Sequence, residues 1–330
     1  MTRASKPIFQ SRPVQLTLGL LIGGVFLYLS IRNVSWDTFT AELASIKPAW
    51  IILALTLYWV ELGARVIRWR VLLSHLQTPV SDRQISIAFI SGCAANNILP
   101  AKLGEALRAD LLGRLANVSR VAAFGSIIVE RLFDMMAILG MTAWGIWFAT
   151  TAHPDTLAEV KHGLTLIAAP VAALTVVVCF LATRQNNPIN LRIKALTETA
   201  QNLVKGLNAL RHPSSYVKLV ISSGVIWSLN SITMWCILMA LGVQLNASQT
   251  ILLIGLTGIA AAIPAAPAGI GTLQYAFHLA SVLFDFAPSV ALVAATLVQL
   301  VLLGSATAVG ALAYSFAVSH HLLADKSAQQ

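Results

Sequence analysis

Two stretches of the sequence share one pattern: residues 94–104 read AANNILPAKLG, and residues 261–271 read AAIPAAPAGIG. An offset of 167 residues superimposes the alanine pair, one proline and the closing glycine of the two stretches. In each, an apolar segment meets proline and glycine, which stop a helix and let the chain turn. The sequence therefore predicts two copies of a broken helix.

The segments around these breaks have the lengths expected of a membrane protein, in which a spanning helix needs about 20 apolar residues. Two apolar segments, 85–99 and 250–263, are too short to span, and 103–115 carries four charged residues. We therefore predict an all-α polytopic membrane protein with about six spanning helices and two re-entrant pairs of half-helices. The predicted spans are 14–31, 49–68, 121–149, 164–183, 217–241 and 287–318.

The composition favours the same class. Of 330 residues, 57% are hydrophobic and 11% are charged, whereas soluble proteins average about 45–50% apolar and about 25% charged residues. Each of the three cysteines lies in an apolar run, which indicates buried thiols rather than disulfides. The net charge of +9 would suggest nucleic acid in a soluble protein, but membrane proteins collect lysine and arginine in cytoplasmic loops.

The distribution of basic residues predicts the topology. Arg3, Lys6 and Arg12 precede the first span, and residues 184–216 form a basic loop. Both are expected in the cytoplasm. We predict one integral membrane domain, 1–330, in the bacterial inner membrane, with no cleaved signal peptide and both termini cytoplasmic. The alternative is that the short segments also cross, which gives eight spanning helices and moves four basic residues outside.

The order of segments predicts an inverted repeat. In residues 49–149 and again in 217–318, a spanning helix is followed by a short half-helix, a break and another spanning helix. The charge distribution starts the first unit outside and the second inside, as in many secondary transporters whose half-helices meet near the midplane. The alternative is a chance recurrence of Pro-Ala-x-x-Gly in an alanine-rich chain.

Three ionisable residues lie deep in the predicted span 121–149: Glu130, Arg131 and Asp134. At 1.5 Å per residue they lie roughly 14–20 Å from its start, where each charge facing lipid would cost about 2.5–3.5 kcal/mol. Glu130 and Asp134 share one helix face. The three residues form either a self-contained ion cluster that locks helix packing or a polar site with Arg131 facing an anionic headgroup.

A second polar set surrounds the first break. Asn97 suits a helix end, where side-chain amides satisfy freed backbone groups. Lys102 and Arg108 would supply charge to a phosphate. A half-helix that starts near Gly104 and Glu105 would direct its N–H groups at the same anion. The alternative is a cytoplasmic amphipathic helix with solvated charges.

Four charged residues near the end of the second predicted span are predicted to interact with their surroundings at the membrane interface. Glu61 and Arg65 are four residues apart and are expected to pair near the inner interface. Arg68 and Arg70 are predicted to anchor the helix at lipid headgroups.

At these residues the chain resembles the flippase-like family known as the lysylphosphatidylglycerol synthase transmembrane region. The family includes the membrane half of the multiple peptide resistance factor and standalone proteins, some found with hopanoid biosynthesis. Because aminoacyl transfer in the two-part proteins resides in a separate soluble domain, the resemblance implies lipid translocation or binding rather than synthesis. Gln274 stands where the family usually has an acid, which argues against a periplasmic carboxylate. The matching features are Arg65 to Leu73, Asn97 with Pro100, Gly104-Glu105-x-x-Arg108, Glu130-Arg131-x-x-Asp134 and Pro267-x-Gly269-x-Gly271.

The sequence thus predicts a lipid translocase that binds an anionic or phosphate-containing headgroup in a midplane cavity. The predicted partners are membrane lipids and a lipid-modifying enzyme, with no nucleic acid, cofactor or metal. The alternatives are an intramembrane enzyme on a lipid-linked phosphate, with Glu130 or Asp134 as base, and a non-catalytic partner of a lipid-modifying enzyme. The candidate binding residues are Asn97, Lys102, Gly104, Glu105, Arg108, Glu130, Arg131, Asp134, Gly269 and Gly271.

Overall fold

The structure, a computed structural model, describes residues 12–32, 34–76, 78–99, 102–149, 153–183, 201–202, 204–263 and 266–327. Within these ranges the chain forms twelve α-helices and no β-strand, which confirms the predicted all-α class. Short 3₁₀ turns occupy Asn208–Arg211 and Pro267–Gly269, and a π-helical turn, Val298–Leu303, joins the last two helices. The helices are α1 Arg12–Ile31, α2 Trp36–Ala44, α3 Pro48–Leu73, α4 Asp82–Ile98, α5 Leu103–Ala116, α6 Arg120–Phe148, α7 Pro154–Thr183, α8 Pro213–Ala240, α9 Ala247–Ala262, α10 Thr272–Phe284, α11 Pro288–Leu297 and α12 Gly304–Ser327.

Four helical segments in the described part of the chain are long and apolar enough to cross a membrane: Pro48–Leu73, Pro154–Val178, Pro213–Ala240 and Pro288–Ser319. α6 has the length of a span but contains the three charged residues predicted at its centre. Each of these four segments begins with proline, a residue whose missing N–H costs nothing in the first turn of a helix. The total number of spans stays a prediction.

The helix pairs around the two breaks have the predicted half-helix lengths. α4 has 17 residues and α5 has 14, which correspond to about 25 Å and about 21 Å. α9 and α10 have 16 and 13 residues. Each is shorter than the hydrocarbon core of about 30 Å, and the two members of each pair pack against each other.

The packing of helices is reciprocal between the two units. α3, the first helix of unit one, lies along α8, the first helix of unit two. α4 packs on α12, the last helix of unit two, whereas α9 packs on α6, the last helix of unit one. Exchanging the two units leaves this pattern of packing unchanged, and the repeat itself stays a prediction. The inversion across the membrane stays a prediction.

The backbone repeats as well. Lys102 precedes α5 in the left-handed conformation with φ 54°, and Gly269, which is 167 residues later, has φ 66°. Asn117 after α5 and Asp285 after α10 are also left-handed, with φ 52° and 56°. Both pairs open on a capping box, formed by Ser81 with Gln84 at α4 and Asn246 with Gln249 at α9.

The basic loop predicted at 184–216 is only partly described, since residues 184–200 lie outside the described ranges. The described part is packed rather than fully solvated: Val204, Leu207 and Ala209 are buried. A Cβ on Gly206 would collide with the Ala122 carbonyl of α6. This segment therefore lies directly against the start of α6.

Candidate functional site: a charged cavity where the two breaks meet

A cavity of about 370 Å³ lies between the two breaks. α4 contacts the turn Pro267–Gly269, so half-helices of both units reach it. Its charged wall comes from the first unit, while the second contributes Trp227, Asn230 and mainly uncharged side chains. The polar and charged residues in the lining are Tyr58, Glu61, Arg65, Asn96, Asn97, Lys102, Glu105, Arg108, Arg131, Trp227, Asn230, Thr257 and Thr272.

Arg68 contradicts its predicted role as a headgroup anchor. Its side chain is 0% exposed. Nη1 donates to Asp134 Oδ1 at 2.8 Å and to Ser223 Oγ of α8 at 3.1 Å, and Nη2 lies 3.7 Å from Glu130 Oε1. Arg68 therefore ties α3 to α6 and α8 through a buried ion network. Arg70, in contrast, is exposed and pairs with exposed Asp82.

Arg108 belongs to the same network. Its Nη1 and Nη2 donate to the two oxygens of Glu130 at 3.1 and 2.8 Å, a bidentate geometry that fixes the guanidinium plane. The guanidinium carbon lies 3.6 Å from the ring centroid of Trp69 and 4.4 Å from that of Phe89. Because Arg108 is buried, the alternative of a helix with solvated charges is wrong for this face of α5.

Arg131 lies at the boundary between the network and the cavity. Its side chain is 37% exposed and contacts three carboxylates: Glu130, Asp134 at 3.3 Å and Glu105 at 3.4 Å. The ion cluster therefore extends beyond α6, because Arg68 on α3 and Arg108 on α5 also hold its two acids. Glu130 and Asp134 are buried and lie behind the cavity wall.

Glu61 and Arg65 pair as predicted, and both line the cavity. Arg65 Nε donates to Glu61 Oε1 at 2.8 Å, and Asn230 of α8 donates to Glu61 Oε2 at 3.1 Å. The Arg65 guanidinium lies 5.6 Å from the centre of the Trp227 ring. Sequence reasoning missed Asn230 as a site residue; the available signal was an amide inside the apolar stretch 217–241.

Lys102 differs from the arginines around it. It lines the cavity, and no described carboxylate pairs with it. It also adopts the left-handed conformation that its counterpart Gly269 adopts without a Cβ, at a cost of roughly 1–2 kcal/mol for an L-residue. Such strain is typical of functional positions. With the four arginines, Lys102 gives five cations against the carboxylates of Glu61, Glu105, Glu130 and Asp134.

Asn97 lines the cavity, and its side-chain amide nitrogen already donates hydrogen bonds within the protein. Nδ2 donates to the Leu303 carbonyl at 3.2 Å and to Thr307 Oγ1 at 2.9 Å. Leu303 closes the π-helical turn, where the regular helical hydrogen-bond pattern is interrupted. Asn97 thus joins the first break to the long helix of the second unit.

Gly104 and Gly271 do not line the cavity and instead permit close packing. A Cβ on Gly104 would collide with the Gly92 carbonyl of α4, and one on Gly271, at φ 87°, would collide with the Gly23 carbonyl of α1. Gly269 does line the cavity. Both glycines are therefore needed for the close approach of the backbone at their own break.

Neutral amides hold the second break together. The Gly271 N–H donates to Gln274 Oε1 at 2.8 Å, and Gln274 Nε2 donates to Gln299 Oε1 at 2.7 Å. Gln299, in the π-helical turn, donates to the Ala268 carbonyl at 3.2 Å. Gln274 thus caps α10 from within the protein and does not line the cavity.

Six of the ten candidate residues line the cavity: Asn97, Lys102, Glu105, Arg108, Arg131 and Gly269. Glu130 and Asp134 form the buried network behind it, and Gly104 and Gly271 shape the breaks. Binding of a ligand by any of them stays a prediction. The chain folds as a helical multi-pass membrane protein with a charged cavity between two broken-helix pairs.

The chain belongs to the family described as the lysylphosphatidylglycerol synthase transmembrane region, whose profile matches residues 16–310. A UPF0104 membrane protein of Methanocaldococcus jannaschii is 27% identical over an alignment covering 55% of this chain and 76% of that protein. Glycosyltransferase AglD of Haloferax volcanii is 25% identical, with 87% of this chain and 52% of AglD covered. The chain thus spans about half the length of AglD, and the family points to a function at membrane lipids.

Proposed function

We propose that this protein binds the anionic or phosphate-containing headgroup of a membrane lipid in the cavity and moves the lipid between leaflets without changing it chemically. The proposal places it in the bacterial inner membrane with both termini in the cytoplasm. The observation that carries the proposal is Lys102, a strained cation in a cavity whose arginines are held by carboxylates.

Electrostatics favour an anionic ligand. A charge enclosed within a membrane protein is costly unless a counter-charge compensates it. Glu61, Glu105, Glu130 and Asp134 already contact arginine, so an incoming phosphate would supply the missing negative charge at Lys102. Arg131, with over a third of its side chain exposed, offers the planar guanidinium that suits phosphate oxygens.

The architecture favours movement of the lipid over static binding. Both breaks contribute to one cavity, so a rocking of one unit against the other would change the side from which the cavity is reached. Asn97 on α4 donates to Thr307 on α12, so the two units are joined beside the cavity where such a movement would take place.

The test is leaflet exchange in proteoliposomes that carry phosphatidylglycerol with a fluorescent headgroup-proximal label. We expect phosphatidylglycerol to exchange faster with the protein than in protein-free vesicles. With the protein present, it should also exchange faster than phosphatidylcholine, which is zwitterionic and has no net charge. Mass spectrometry of the extracted lipid checks that its mass is unchanged. A modified lipid would overturn the proposal in favour of an enzyme, and absence of both exchange and modification would favour a partner role.

A second candidate is a non-catalytic partner of a lipid-modifying enzyme. It is favoured by the relative AglD, which is named a glycosyltransferase and of which this chain covers about half. The enzyme alternative is weaker on structural grounds. Glu130 and Asp134, its proposed bases, are clamped by Arg108 and Arg68 and do not line the cavity.

A further inference from the structure

A second, apolar groove of about 540 Å³ lies beside the charged cavity. It is formed by α6, α8, α9 and the turn before α9. α8 is one of the helices with the length and composition of a membrane span, so the groove residues in its middle, such as Gly224 and Ser228, are expected at the depth of the hydrocarbon core. Its lining residues are Met141, Gly224, Trp227, Ser228, Ser231, Ile232, Trp235, Leu245, Ala247, Thr250 and Ile251.

The groove is chemically suited to hydrocarbon. Ser231 Oγ donates to the Trp227 carbonyl at 2.8 Å, and Thr250 Oγ1 donates to the Asn246 carbonyl at 3.0 Å. Both hydroxyls are thereby satisfied within their own helices. Apart from the Ser228 hydroxyl, the remaining wall is mainly aliphatic and aromatic, so a polar headgroup would lose its hydration there and gain few partners.

Trp227 connects the groove to the cavity, because it lines both. Arg65 lies over its ring on the cavity side. Its buried Nε1 has no hydrogen-bond partner among the described residues. An indole with a polar edge and an apolar body suits a boundary between a charged and a hydrocarbon environment.

We propose that this groove holds a hydrocarbon chain of the same lipid whose headgroup occupies the cavity. The proposal rests on the proposed function and commits the ligand to a lipid with an attached chain, since a soluble phosphate would fill only the cavity. Because Trp227 lines both the cavity and the groove, we assign headgroup and hydrocarbon chain to one lipid molecule rather than to two separate ligands. An unrelated annular lipid in the groove is the competing occupant.

The test uses phosphatidylglycerol with a photoreactive diazirine in the acyl chain, reconstituted with the full chain, and peptide mapping of the adducts. Four proteins are compared: wild type, Lys102→Gly, Gly224→Trp and Gly63→Trp. Gly224 lines the groove, whereas Gly63 lies outside the cavity and groove, and both have open space at the Cβ position. Gly63→Trp is therefore a matched control for the added indole.

We expect adducts on Ile232, Trp235 and Ile251 in the wild type and in Gly63→Trp. Gly224→Trp should lower them at least about fivefold, equivalent to about 1 kcal/mol of lost binding. Lys102→Gly should lower them similarly, because the chain is held through its headgroup. Adducts on Leu166 and Val176, exposed residues of α7, should stay constant in all four proteins.

Equal groove labelling in wild type and Lys102→Gly would identify an annular lipid and overturn the inference, as would absence of adducts in the groove. If labelling follows the expected pattern while the wild type shows no leaflet exchange, the inference stands and the translocase proposal fails. Labelling and leaflet exchange measured on the same proteins therefore distinguish failure of the groove inference from failure of the translocase proposal.

Discussion

The first and second breaks share a left-handed residue at equivalent positions and differ in their chemistry. Both turn through a left-handed residue at equivalent positions, Lys102 and Gly269, and both start from a capped half-helix. The first break lies beside a network of buried ion pairs, whereas Gln274 and Gln299 hold the second with neutral amides. The two breaks thus share a left-handed turn, while the charged residues of the cavity lie in the first unit alone among the described residues.

The difference between Lys102 and Gly269 singles out Lys102 as the candidate ligand-binding residue of the first break. Glycine at 269 adopts the turn without strain, so the scaffold itself requires no side chain there. Lysine at 102 adopts the same turn at a cost. A residue that costs stability in the scaffold and adds a charge to the cavity is best explained by what that charge binds.

The largest expected effect on stability is at the network of the first unit. Arg68→Met leaves Asp134 and Glu130 with one counter-charge fewer in a buried site, and removing one partner of a buried ion pair costs about 3–5 kcal/mol. Thermal or denaturant unfolding in detergent measures the loss. Arg70→Met, which breaks an exposed pair, is the control and should cost about 0–1 kcal/mol. Equal shifts in both variants would show that the buried network does not hold the helices together.

The next effect compares the glycines of the two breaks. Gly104→Ala and Gly271→Ala each place a Cβ against a backbone carbonyl, and such overpacking costs typically about 1–3 kcal/mol. Gly63→Ala, with open space around it, should not destabilise. Unfolding measurements on the three variants check this. If either break tolerates alanine as Gly63 does, the two units do not share a close-packed scaffold.

The sequence predicted the helices and the breaks because both depend on local patterns. The length of the apolar segments predicted the long helices, and proline together with glycine predicted the two breaks. It also placed Glu130, Arg131 and Asp134 inside a long helix, and the structure confirms that position. The count of spans and the orientation stay predictions.

The partners of the charges could not be read from local patterns. Arg68 was interpreted as an anchor because it stands near a helix end, yet its partner Asp134 is 66 residues away in the chain. The same holds for Asn230 and Glu61, which are 169 residues apart. Gly104 and Gly271 were predicted as ligand contacts, whereas the backbone carbonyls of Gly92 and Gly23 that leave no room for a Cβ there are visible only in the packed structure.

A smaller effect is expected where the two units touch at the ends of α3 and α8. The His75 and His212 rings stack with centroids 4.3 Å apart, and burial, with His212 and Lys218 nearby, lowers the pKa of His75. Because the unfolded pKa, about 6.5, is the higher one, the unfolded state binds more protons, and stability falls as pH drops below that value.

Unfolding temperatures of the wild type and of His75→Gln between about pH 7.5 and pH 5 measure this contribution. The wild type should lose more stability on acidification than the variant, which lacks the titrating ring. Parallel pH profiles for the two proteins would show that the titration of His75 does not contribute to the pH dependence of stability.

The most direct test of the account is Lys102→Gly, assayed for phosphatidylglycerol exchange in proteoliposomes and for unfolding in detergent. The control is Asn117→Gly, which also replaces a left-handed residue, φ 52°, but lies outside the cavity. Because glycine relieves the strain of the left-handed conformation, both variants should be as stable as the wild type or more stable. The gain in the free energy of unfolding should be at most about 1–2 kcal/mol. The account predicts that exchange falls at least about tenfold in Lys102→Gly alone, equivalent to about 1.4 kcal/mol. Exchange at the wild-type rate in a stable Lys102→Gly protein would contradict it.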